Sequence, residues 1–244
     1  MREDLIQAYE NILCKLNING FDLNSDKYSG VFLPVPLSEY AEAKHRVMLV
    51  GRETAGWMKA AKSTIQRIKS MPVSDVVAEA TARHESHIEY NSKGGVKTTS
   101  SSRFKQYYFK VAKELGLDPR ALIYSNFFAW DYNKTSIRQR PEAEQKEIIS
   151  LSAQLLAAQI KILKPEFIIF ATGYAGIDPL IRSLFQVHFS GYKNSAEVIP
   201  KKLWEFQAAN ATCFRIAHPR ATRGHELYRD MVIQRIKEKI AAVR

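Results

Sequence analysis

Cysteine is scarce in this chain: Cys14 and Cys213 are the only two in 244 residues. Two thiols cannot supply the four ligands of an iron–sulfur cluster or a Cys₄ zinc site. Nor can they staple a disulfide scaffold. Glycine (11) and proline (9) are too few for a collagen-like or Gly/Pro-rich disordered chain. No apolar run approaches the ~18 residues of a membrane span. The start, Met1-Arg-Glu-Asp, carries acids where a secretion signal needs a basic and then an apolar stretch. A cytoplasmic chain with reduced thiols and no membrane partner is therefore expected. Acidic residues are in deficit, 25 against 36 Lys+Arg, which leaves a net charge of +11. Such an excess favours a polyanionic partner, nucleic acid before an anionic membrane surface. No obligatory protein partner is evident.

What is present is ordinary for a globular protein: 45% hydrophobic and 25% charged residues. No repeat, linker or composition shift divides the chain, so one domain over 1–244 is expected, with an N-terminal helical extension to about residue 45. Leu5, Ala8, Tyr9, Ile12 and Leu16 recur at helical spacing and predict a helix over 1–17. Four continuous apolar runs suit strands buried on both faces: 46–51, 121–126, 167–173 and 212–218. Helical patterns separate them, at about 55–70, 103–116, 142–163 and 175–185, and a last helix covers about 224–242. Alternation of this kind predicts an α/β fold, a three-layer α/β/α sandwich around a mostly parallel four-stranded sheet. The stretch 85–103, rich in Gly, Ser, Thr and cations, reads as a mobile surface loop. Ser101, Ser102 and Arg103 are its candidates for gripping phosphates.

In an open parallel sheet the site lies beyond the carboxyl ends of the strands. Those positions hold Gly51-Arg-Glu-Thr-Ala-Gly-Trp57, Asn126-Phe-Phe-Ala-Trp-Asp-Tyr-Asn133, Gly173-Tyr-Ala-Gly176 and His218-Pro-Arg-Ala-Thr-Arg-Gly-His225. A carboxylate (Glu53), an amide (Asn126) and an imidazole (His218) thus fall at one end of the sheet. Singly, each has a plainer role: a helix cap, a strand end, a turn histidine.

Four motifs in this order resemble the uracil-DNA glycosylase superfamily. They are Val50-Gly51-Arg52-Glu53, a strand ending Tyr124-Ser125-Asn126, the passage Leu163-Lys-Pro-Glu-Phe-Ile-Ile-Phe-Ala-Thr-Gly173, and His218-Pro219 before the final helix. The iron–sulfur branches are excluded by the cysteine count. The resemblance implies a monofunctional DNA glycosylase that needs neither metal nor organic cofactor. It assigns Glu53 to activating water and stabilising a cationic sugar, Asn126 to reading the base, and His218 to the oxyanion on the pyrimidine. Trp57, Phe104, Phe127 and Phe128 are candidates to stack on a flipped base, with at least two of them expected in the core.

Two departures from the family pattern stand out. Glu53 occupies a position where the best-known members have Asp. Thr54-Ala55-Gly56 follows, where strict uracil enzymes carry a Pro and then a Tyr that rejects C5 substituents. A small Ala55 implies room for thymine or for hydroxymethyl- or glycosylated cytosine, and hence a role in repair or in defence against phage DNA. Arg52, Arg220 and Arg223 are expected to meet DNA, the last two from the loop that in the family enters the minor groove.

Weaker features are His84 and His87, three apart and able to meet a metal, and Asp131, either a second acid or a cap for Asn133 or Lys134. Two other classes of function fit the same residues. One is a non-catalytic basic α/β module that binds DNA or nucleotides. The other is a hydrolase acting on a small nucleotide.

Overall fold

The computed structural model describes residues 1–58, 64–88 and 95–242. The elements run α1 (Arg2–Leu13), α2 (Ser38–Ala41), β1 (Val47–Gly51), α3 (Thr64–Ser70), α4 (Val73–Glu85), α5 (Arg103–Leu115), β2 (Leu122–Asn126), α6 (Glu142–Leu163), β3 (Phe167–Phe170), α7 (Asp178–His188), β4 (Tyr192–Ile199), β5 (Leu203–Ala208), β6 (Ala211–Ile216) and α8 (His225–Ala242). The chain is α/β. It gathers into two compact units, each built from three separate stretches.

The first unit comprises Met1–Val35, Glu53–His87 and Ser125–Leu163. It is mainly helical: α1 packs on α6 and α4. Leu5, Tyr9, Ile12 and Leu13 form the buried stripe of α1, and the Tyr9 hydroxyl donates to the Pro34 carbonyl at 2.5 Å. An extended stretch runs from Tyr28 to Val35 beside residues 129–132, with Ser29 N–H on the Asp131 carbonyl and Phe32 N–H on that of Ala129, both at 2.8 Å. Glu144, deeply buried, accepts from the Tyr28 hydroxyl at 2.6 Å and is paired with Arg140 at 2.9 Å.

The second unit comprises Pro36–Arg52, Ile88–Tyr124 and Lys164–Arg244. Its sheet corrects the four-stranded, mostly parallel expectation. Among the described residues it has six strands, in the order β2-β1-β3-β6-β5-β4. β3 runs parallel to β1 and to β6, whereas β5 is antiparallel to β6 and β4 to β5. The two extra strands form a meander on one edge. Ala209 and Asn210, both with positive φ (52° and 62°), make the two-residue turn between β5 and β6; that sign of φ matches the twist of a hairpin. Period-2 geometry divides the strands between faces. Val47, Leu49, Phe167, Ile169, Phe214 and Ile216 meet Tyr107, Tyr108 and Val111 of α5 and Val232, Ile233 and Ile236 of α8. On the other face Phe185 of α7 meets the rings of Phe170 and Phe206.

Other elements differ from the sequence patterning. The first helix ends at Leu13 rather than 17. The helix expected over 55–70 is found as Thr64–Ser70; residues 55–58 are irregular and 59–63 lie outside the described residues. Helix α4 was not anticipated. Within the loop expected over 85–103, residues 89–94 also lie outside the described residues. No described helix is long and apolar enough to cross a membrane. Cys14 is exposed, Cys213 is buried, and both thiols are free.

Candidate active site

In the second unit, the parallel course of β1, β3 and β6 brings Arg52 and the loops 171–177 and 217–224 to one end of the sheet. Gly173 N–H donates to the Ile216 carbonyl at 2.9 Å, which ties the loop after β3 to the end of β6. Gly173 needs its freedom here because its φ is 76°. An added Cβ would come within 4.0 Å of the His218 nitrogen, an ordinary contact, so backbone shape rather than space selects the glycine.

His218 is half-buried, and its Nδ1 accepts the backbone N–H of Arg220 at 3.1 Å. A ring nitrogen that accepts from a peptide N–H carries no proton, so the neutral tautomer has its proton on Nε2. Burial, and then the charges of Arg220, Arg52 and Arg229, hold the imidazole pKa down at about 4. His218 is thus a neutral hydrogen-bond donor at physiological pH. Arg229 also braces this loop: its Nη1 donates to the Ala221 carbonyl at 3.2 Å, and its Nη2 pairs with Glu226 at 3.0 Å. Nothing in the sequence singled out Arg229. Arg220 and Arg223 are exposed.

The remaining candidates of this unit lie around α5. Ser102 caps the helix, its Oγ accepting Lys105 N–H at 3.4 Å, and its own N–H donates to Ser100 Oγ at 3.1 Å. Ser101 and Arg103 are exposed beside it. Phe104 is half-buried against the ring of Tyr124 (5.0 Å between centroids).

The first unit holds Glu53, Ala55, Trp57, Asn126 and Phe127. Glu53 is half-buried at the start of the irregular loop 53–58, and Ala55 is exposed on it. Asn126, only 6% exposed, ends β2; its Nδ2 is buried and has no hydrogen-bond partner among the described residues. Trp57 is buried edge-on to Phe32 (4.8 Å) and His87 (4.6 Å), with the Arg83 guanidinium over its ring at 5.6 Å. Phe127 and Phe128 are buried and meet edge to face. Trp57, Phe127 and Phe128 therefore lie in the core.

Asp131 takes the second of the two places expected for it and adds to it. It is wholly buried and caps Lys134, as the plainer reading supposed, with the Lys134 N–H at 2.8 Å from Oδ1. It also grips the loop that begins with Glu53, taking the Thr54 hydroxyl at 2.6 Å and the Gly56 N–H at 2.7 Å on Oδ2. His84 and His87 are drawn into packing: His84 Nδ1 takes the Val35 N–H at 3.3 Å, and its ring stands on Phe32. Among the described residues no three or more His, Cys, Asp or Glu side chains converge as metal ligands do.

No protein-family model matches the chain, and neither does any curated protein.

Proposed function

We propose that this protein is a monofunctional DNA glycosylase, hydrolysing the N-glycosidic bond of a flipped-out pyrimidine. The observation that carries the reading is the state of His218, an imidazole held neutral with its Nδ1 already accepting and its Nε2–H left to donate. Breaking that bond puts negative charge on the departing base and positive charge on the sugar. A neutral N–H donor stabilises the oxyanion forming at the pyrimidine O2 without giving up its proton. The Glu53 carboxylate stabilises the cationic sugar and takes a proton from the water that adds to C1′. Asn126 offers a buried amide whose donor and acceptor together match a pyrimidine edge. Arg52, Arg220 and Arg223, with Ser101, Ser102 and Arg103, meet phosphates. Water is the only second substrate, so the chemistry calls for no cofactor. Exposed Ala55 leaves space beside C5, which favours thymine or hydroxymethyl- or glycosylated cytosine over uracil. Repair or defence against phage DNA is the corresponding role.

The test is to incubate the protein with single- and double-stranded DNAs carrying uracil, mismatched thymine or C5-modified cytosines, and then treat with alkali. Strand breakage is expected on at least one C5-substituted substrate. Glu53→Gln keeps size and hydrogen bonding but removes the charge, and should lower breakage by at least ~10²-fold while DNA binding survives. A gel shift with no alkali-labile site on any substrate would identify a non-catalytic DNA-binding module instead.

A further inference from the structure

We infer that Asp131 is the positioning residue of the loop that carries Glu53. What the loop does rests on the glycosylase reading; what holds it rests on geometry alone.

Asp131 is fixed from behind before it grips anything. Its N–H donates to Ser29 Oγ at 2.9 Å, and its carbonyl accepts the Ser29 N–H at 2.8 Å. With the backbone so held, and Lys134 N–H on Oδ1, the carboxylate has one orientation left. Its Oδ2 then binds the loop at two points two residues apart, the Thr54 hydroxyl and the Gly56 N–H. Ala55 is exposed between them, and a third tie follows, Gly30 N–H on the Trp57 carbonyl at 2.8 Å.

The loop needs such ties. Gly56 has φ 89° and Met58 φ 50°. A side-chain-bearing residue keeps a left-handed conformation only where its surroundings impose it. Hydrogen bonds to an ionised, buried acceptor are short and strong, which suits a clamp. Thr54, itself buried, is the next residue after Glu53. A shift of Thr54 therefore carries the Glu53 backbone with it, and a misplacement of ~1 Å costs a reaction about 10²-fold.

Asp131→Asn preserves the shape but not the acceptors. Whichever way the amide turns, its NH₂ faces a backbone N–H, that of Gly56 or that of Lys134. Single-turnover excision should fall at least ~10-fold with DNA affinity unchanged. Thr54→Val should act in the same direction, Thr54→Ser should restore the wild-type rate, and the Asn/Val double variant should lose less than the product of the two singles. Gly56 amide hydrogen exchange should be slow in the wild type and faster in Asp131→Asn. Excision by Asp131→Asn at the wild-type rate, or a rate lost only in proportion to unfolded protein, would overturn the assignment. If the wild type excises no base, the glycosylase reading falls, and Gly56 exchange alone decides the clamp: faster exchange in the variant sustains it, equal exchange overturns it.

Discussion

Arg220 donates its backbone N–H to Nδ1 of His218 at 3.1 Å, so two residues of one loop decide which nitrogen of the imidazole holds the proton. Arg220 also helps to keep a second proton off: burial and three nearby arginines bring the pKa from 6.5 to about 4.

A pH dependence follows. The unfolded chain takes up the His218 proton near pH 6.5, the folded protein only near 4. Between these values the unfolded state binds more protons, so stability is full above the window and falls as pH drops through it. His218→Gln should flatten that slope, measured as urea midpoints at about pH 7 and about pH 5. The same variant should lose ~10²-fold or more in excision. Wild-type activity that rises as the pH drops below neutral would require the imidazolium and sink the assignment.

On the glycosylase proposal, exposed Arg220 and Arg223 serve binding rather than chemistry. Neutralising both should weaken DNA affinity for every sequence and flatten the dependence of log K on log salt by about one or two units. Titrations by fluorescence anisotropy at several salt concentrations measure this. An unchanged slope would place the phosphate contacts elsewhere.

On the same proposal, position 55 governs substrate choice. Ala55→Tyr adds a ring where the side chain is now a methyl group, and overlap of that ring with a bound C5 substituent costs ~1–3 kcal/mol. Each ~1.4 kcal/mol in the transition state is tenfold in rate. Excision of a bulky C5 pyrimidine should therefore fall at least ~10-fold relative to uracil, a ratio that cancels general damage. Equal slowing of both bases would show that residue 55 does not face C5.

Arg215 bears on stability. Its guanidinium, wholly buried, meets both carboxylate oxygens of Asp178 at 2.7 and 2.8 Å and donates to the Lys201 carbonyl at 3.1 Å. Burial outweighs this pairing and raises the Asp178 pKa. Arg215→Met removes the cation paired with the carboxylate, leaving only the weaker influence of Arg182, and should cost about 3 kcal/mol in urea unfolding. The loss should shrink at acid pH, where Asp178 takes up a proton. No loss at neutral pH would mean that water serves Asp178 as well as Arg215 does.

The strands that were legible are those whose burial leaves no choice of residue. Val47–Gly51 is buried throughout, and so is Phe167–Phe170, and both read as unbroken apolar runs. β4 is an edge strand with mostly exposed side chains, so Lys193-Asn-Ser-Ala-Glu197 looks like a loop. β5 does alternate, with Trp204, Phe206 and Ala208 buried against half-buried Glu205 and Gln207, and that period could have been found. Its turn hid it: Ala209-Asn210 has the hairpin geometry without the Asn-Gly signature. Among candidate site residues, His218 and Asn126 were marked by their places at the ends of strands. The Nδ1 bond and the Asp131 clamp were not, because each depends on a loop conformation that no periodicity encodes.

The two compact units share one chain in alternation. It passes from one to the other after Val35, Arg52, His87, Tyr124 and Leu163. Neither unit therefore corresponds to a contiguous fragment, and no single truncation isolates either of them. On the ribosome the first unit is incomplete until Leu163 has emerged, although α1 was made well before it. The second waits for α8, which covers one face of its sheet. Early-made apolar segments such as β1 must stay unaggregated over much of synthesis. Destabilising substitutions should therefore be felt in the yield of folded protein at least as strongly as in its activity.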